Sequence, residues 1–136
     1  MSSSQTARTL EPEELAEWMR DPSKQDYLVV DVRDEDFESG HVSKAINVPS
    51  KEFHKDPASY APLLEAPKTV IFHCALSQVR GPKAANAYLK EVVEAAGSKQ
   101  EVYVLQGGFT KWQSRYGKDN LLTQDYDEEL WKSKDV

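Results

Sequence analysis

Three short runs dominate the sequence: Tyr-Leu-Val-Val-Asp-Val at residues 27–32, Thr-Val-Ile-Phe-His at 69–73 and Glu-Val-Tyr-Val-Leu at 101–105. A strand with one face in water alternates apolar and polar residues, whereas a near-continuous apolar run needs cover on both faces, the condition inside a parallel sheet. A shorter strand is expected at residues 45–48, ended by Pro49. Helical patterns lie between these runs. Pro12 suits the first turn of a helix over residues 12–20, with Glu11, Glu13 and Glu14 near its positive end, Leu15, Trp18 and Met19 on one side, and Asp21-Pro22 closing it. Further helices are expected at 51–60, interrupted near Pro57; at 82–96, with Ala84, Ala85, Tyr88, Leu89, Val92 and Val93 along one side; and at 109–116. This alternation predicts an α/β domain: a central, mostly parallel sheet with helices on both faces.

The 136 residues, 39% of them hydrophobic, suffice for one core. Residues 1–8 are expected to be a flexible N-terminus and 9–117 the folded domain. Residues 118–136 read as an acidic C-terminal extension packed on that domain through Leu121, Leu122, Tyr126, Leu130 and Trp131. With 23 acidic against 17 basic residues the formal net charge is -6, which lacks the basic excess that nucleic acid or an anionic membrane requires. Small molecules or proteins are therefore the expected partners. One cysteine cannot form an internal disulfide, and with three histidines it does not make a Cys-rich zinc site, which points to a reducing compartment; no metal and no bound cofactor are expected. The polar start lacks the apolar core of a signal peptide, and no stretch approaches a membrane-spanning length. A cytoplasmic or nuclear location, or both, is expected.

The chemistry concentrates in residues 73–82, His-Cys-Ala-Leu-Ser-Gln-Val-Arg-Gly-Pro, which join an apolar strand to an alanine-rich helix. In an open α/β sheet ligands bind at the carboxyl ends of the strands, and a helix N-terminus presents unpaired N–H groups to an anion. Cys74 occupies a position where both conditions hold, and the helix end together with Arg80 favours its thiolate, the nucleophilic form. If the amides of Ala75, Leu76, Ser77, Gln78, Val79 and Gly81 converge, they make a receptor for a tetrahedral oxyanion that Arg80 can clamp through two oxygens. Attack by sulfur spreads charge over the equatorial oxygens, which such donors stabilise. The same residues admit a plainer reading, since a lone cysteine after an apolar strand is often an inert buried side chain.

Beyond that loop, Val30-Asp31-Val32-Arg33 running on to Gly40-His41-Val42 and to residues 45–49, and Val104-Leu105-Gln106-Gly107-Gly108-Phe109 with Trp112, complete a pattern. The chain resembles a rhodanese-homology domain from Thr9 to about Tyr116. The His-Cys-x5-Arg-Gly-Pro loop is similar to that of the cell-division-cycle twenty-five-type phosphatases and the eukaryotic arsenate reductases. The resemblance implies a rhodanese-like fold and a Cys74-dependent phosphatase or arsenate reductase acting on a small oxyanion or a phosphoprotein. It implies Cys74 and Arg80 as catalytic residues. Sulfurtransferases of this superfamily usually carry a loop one residue shorter, which leaves thiosulfate-type sulfurtransfer as the alternative activity; a non-catalytic module that holds a phosphoprotein is the alternative from another class. The cell-cycle enzymes have an acid directly after the cysteine, where this chain has Ala75. Ala75, Leu76, Gln78 and Val79 cannot protonate a leaving alcohol, whereas arsenate needs less help. Arsenate reduction needs electrons, and without a second cysteine these are expected from an external thiol, glutathione with glutaredoxin. The unpartnered Cys74 is also expected to be peroxide-sensitive.

The remaining polar residues carry two readings each. Asp31 and Arg33 could be an acid and an anion-binding group, or a pair that holds the loops around the site. Gly40 and His41 look like a turn and a scaffold histidine. His73 is expected to point away from Cys74, since strand side chains alternate, and to support the loop by hydrogen bonds. Ser77 could bond the thiolate or the loop. Gly107-Gly108 suits a tight link between strand and helix, while Trp18, Trp112 and Trp131 read as packing residues.

Overall fold

The computed structural model describes residues 6–34, 39–75 and 79–134. Five strands, β1 (Arg8–Leu10), β2 (Tyr27–Asp31), β4 (Ile46–Asn47), β5 (Thr69–His73) and β6 (Glu101–Leu105), form a sheet in the order β1-β6-β5-β2-β4. Every neighbouring pair is parallel. A separate antiparallel ribbon joins β3 (His41–Val42) to β7 (Thr123–Gln124). The apolar runs at 27–32, 69–73 and 101–105 thus become the three central strands. Each is covered on both sides.

Side-chain alternation divides the core in two. On β5, Val70 and Phe72 pack with Val30, Phe53, Leu64 and Tyr88 under α2 (Ser50–Phe53), α3 (Ala61–Leu64) and α4 (Arg80–Tyr88, prolonged as a π-helical turn over Leu89–Glu94). Ile71 faces the other way, toward Val29, Leu105, Phe109 and Trp112 under α1 (Pro12–Arg20) and α5 (Gly108–Tyr116). Trp131 of α6 (Glu128–Lys134) closes that second side. Trp112 and Trp131 are both core residues there, and Trp18 packs at its edge.

Several elements depart from the expectations. Arg8 pairs with Tyr103 in an edge strand, and the Ala7 N–H donates to Asn86 Oδ1 (2.8 Å), so the chain is engaged before residue 9. The helix expected over 51–60 breaks up: α2 ends at Phe53, a 3-10 turn covers Pro57–Tyr60, and α3 follows. Pro57 and Pro62 explain this, because each lacks the N–H a continuous helix would use and tolerates a first turn. The same tolerance lets α4 begin two residues before Pro82, at Arg80, so that the arginine belongs to the helix and not to the loop.

Candidate active site

The carboxyl ends of β2 and β5 lie side by side, with Asp31 opposite His73 in register. Cys74 follows immediately, continues the alternation onto the α4 side, and is 3% exposed. Its sulfur accepts a hydrogen bond from the Gly81 N–H at 3.2 Å. That amide belongs to the first turn of α4, where N–H groups have no partner within the helix. Arg80 begins the same helix, and its Nη1 lies 3.4 Å from Asp34 Oδ2.

A second helix end holds the loop from the other side. The Phe109 N–H donates to the Cys74 carbonyl (2.9 Å) and the Thr110 N–H to the Ala75 carbonyl (2.8 Å), both from the first turn of α5. This approach requires glycine at Gly108: its φ is +58°, and a Cβ there would stand 2.5 Å from both carbonyl oxygens. Among the residues expected to form the anion receptor, the Gly81 N–H meets the sulfur, the Ala75 carbonyl is held by the Thr110 N–H, and Val79 has its side chain exposed. Leu76, Ser77 and Gln78 lie outside the described residues.

Beneath the loop, Asp31, Arg33 and His73 are fully buried. Arg33 meets Asp31 through Nε and Nη2 (2.7 Å at the shortest), donates to Ser39 Oγ and the Gly40 carbonyl, and lies over the Phe109 ring. Both side chains are engaged with the scaffold under the loop. His73 projects to the α5 side, stacked on Phe109, with Nδ1 3.1 Å from the Cys74 carbonyl oxygen. A carbonyl only accepts, so Nδ1 carries the proton and donates. Nε2 is 3.6 Å from Asp31 Oδ2 without a hydrogen bond. Burial pushes the His73 pKa below its ordinary 6.5 despite the opposing Asp31 carboxylate, and the ring is neutral. His41 sits in β3, its Nδ1 3.9 Å from Asp125 Oδ2.

The site is thus a buried cysteine at the end of the central strand β5, held between two helix N-termini over an Asp-Arg-His layer. The Rhodanese-like domain model covers residues 11–115. The chain belongs to the rhodanese-like domain family. Among its relatives, the CDC25-like phosphatase YCH1 of Saccharomyces cerevisiae is 36% identical over 137 residues, covering 90% of this chain and 93% of the relative. Arsenate reductase 2.2 of Oryza sativa subsp. japonica is 35% identical over 103 residues, covering 74% of this chain and 77% of the relative. The solved structure of a yeast protein tyrosine phosphatase of the rhodanese family superposes with a TM-score of 0.80 at 34% identity, covering 95% of this chain and 99% of that one.

Two parts of this rhodanese-like site escaped the sequence reading. Asp34, which meets Arg80, and Ser50, whose hydroxyl donates to Asp34 Oδ2 (3.0 Å), sit 16 residues apart and touch only because β2 and α2 converge. The α5 amides were also missed, although Gly107-Gly108 after a buried strand was the available signal.

Proposed function

We propose that this chain is a cysteine-dependent enzyme acting on a tetrahedral oxyanion, as a phosphatase or as an arsenate reductase. The hydrogen bond from the Gly81 N–H to Cys74 Sγ carries the reading, because an amide of the first turn of α4 directed at the sulfur is the kind of donor that a sulfur nucleophile uses. Arg80, one residue earlier, carries the planar fork of donors that suits two oxygens of one anion. The names of relatives in both activity classes support the pairing of functions.

Both reactions begin alike. The Cys74 thiolate forms a bond to phosphorus or arsenic, and an oxygen leaves from the opposite side. With a phosphate ester the leaving group is an alkoxide that takes up a proton, and water then cleaves the sulfur–phosphorus bond and releases phosphate. With arsenate the leaving group is hydroxide, which departs as water on protonation. A glutathione thiolate then attacks Cys74 sulfur: the sulfur–arsenic bond breaks, two electrons pass to arsenic, and arsenite leaves with Cys74 in a mixed disulfide. A second thiol, from glutathione or glutaredoxin, releases Cys74 by exchange. Dependence on outside thiols fits the cytoplasm or nucleus as the working compartment.

Ala75 beside the nucleophile offers no proton, which favours substrates with good leaving groups. Two assays test the reading: hydrolysis of a small aryl phosphate and glutathione-dependent arsenate reduction, each with the wild type and Cys74→Ser. At least one activity is expected, lost by more than about a thousandfold in the variant. A wild type inactive in both would favour the phosphoprotein-holding module, and unchanged activity in Cys74→Ser would overturn the thiolate mechanism.

A further inference from the structure

Helix α4 fixes where the Arg80 backbone lies relative to Cys74, but not where its guanidinium points. The side chain is long and 34% exposed, so its orientation needs a partner. Asp34 Oδ2 stands 3.4 Å from Nη1 and is itself only 14% exposed. Two donors hold that carboxylate, the Ser50 hydroxyl on Oδ2 (3.0 Å) and the Lys51 N–H on Oδ1 (3.3 Å). These donors are in turn tied to the sheet, because the Ser50 N–H donates to the Val32 carbonyl (3.1 Å) and the Val48 N–H to the Asp31 carbonyl (2.9 Å). A rigid path therefore runs from the end of β2 through the start of α2 and Asp34 to Arg80.

On charge alone Asp34 works against the site, since a carboxylate beside an anion-binding arginine reduces its pull on the anion. A carboxylate held this firmly has a compensating effect on geometry. A contact at Nη1 narrows the range of directions open to the planar guanidinium, and so to the donors left for the anion. We propose that Asp34, anchored by Ser50 and Lys51, is a positioning residue that aims Arg80 at the oxyanion held over Cys74. This rests on the function proposed above and assigns Asp34 no proton transfer.

Kinetics of Asp34→Asn and Ser50→Ala, each in the Arg80 and the Arg80→Lys backgrounds, test the assignment. Because a misaimed clamp weakens the transition state more than the ground state, Asp34→Asn is expected to lower kcat about tenfold, with KM changed less than about threefold. Ser50→Ala, which loosens the anchor and keeps the charge, is expected to cost about threefold. In the Arg80→Lys background, which has no planar fork to aim, both losses should shrink below about twofold. Wild-type kcat in Asp34→Asn, or an undiminished loss in the Arg80→Lys background, overturns the proposal. If Asp34→Asn fails to fold, Ser50→Ala carries the same comparison. Tungstate binding by calorimetry, which needs Arg80 but no turnover, keeps the two readings separate. An inactive wild type whose tungstate affinity still falls about fivefold in Asp34→Asn would overturn the enzymatic reading and retain the positioning role.

Discussion

At the scale of single residues, the buried layer under the loop is a charge problem with one solution. Arg33 neutralises Asp31 through two of its nitrogens, and His73 stays neutral because burial outweighs the nearby carboxylate. The unfolded chain binds a proton at His73 below about pH 6.5 while the folded one resists it, so stability rises with pH in that window. His73 therefore contributes stability that is fully present above pH 6.5 and declines as pH falls toward the lowered folded value. The slope approaches about 1.4 kcal/mol per pH unit where only the unfolded state is protonated. His54, whose pKa is also lowered by burial, acts in the same direction. Urea midpoints at pH 5 and pH 7.5 should differ less for His73→Gln, which keeps a donor for the Cys74 carbonyl, than for the wild type. An equal pH dependence in both proteins would refute the assignment.

At the scale of elements, the site is a strand end gripped by two helix N-termini, α4 on the sulfur and α5 on the carbonyls of Cys74 and Ala75. Gly108 makes the second grip possible. Alanine there combines a left-handed backbone with a Cβ 2.5 Å from two carbonyl oxygens, and neither obstacle is a flexible side chain. Gly108→Ala should destabilise the fold by about 2–3 kcal/mol or more by chemical denaturation, with activity falling as the loop shifts. Gly97→Ala is the control: its φ is also positive, at +65°, but nothing lies within 4 Å, so only the backbone term should appear. The central strands were legible because burial on both faces leaves continuous apolar runs, and the Cys74–Arg80 loop because strand, nucleophile, arginine and helix are consecutive. Arg8–Leu10 was not, since a three-residue edge strand with two exposed side chains carries no period. Asp34 was hidden for a different reason: it lies 46 residues before Arg80 in the sequence, and nothing local links the two.

At the scale of the whole molecule, the C-terminal segment is joined to the active-site layer. Trp131 is 6% exposed and packs on Phe109, the ring that lies under Arg33 and against His73. Its Nε1–H and the Asp127 N–H both donate to the Ser39 carbonyl, while Ser39 Oγ and the Gly40 carbonyl receive the Arg33 guanidinium. Earlier in the same segment, Leu122 is fully buried and Thr123 Oγ1 accepts the Trp112 Nε1–H. The acidic side chains thus decorate a strap whose Leu122, Tyr126 and Trp131 complete the second core, whereas Leu121 and Leu130, expected to pack with them, stay exposed because they face away from the domain. Trp131→Ala should cost about 3–5 kcal/mol, the range for removing a large buried aromatic. Because the strap braces the turn that holds Arg33, activity at temperatures where the variant remains folded should fall as well. A chain ending at Gly117 lacks Leu122, Thr123 and Trp131 together, and is expected to show no cooperative unfolding transition. A truncated chain that unfolds cooperatively with wild-type activity would show instead that the domain is complete without the strap, and that the Ser39–Gly40 turn holds Arg33 unaided.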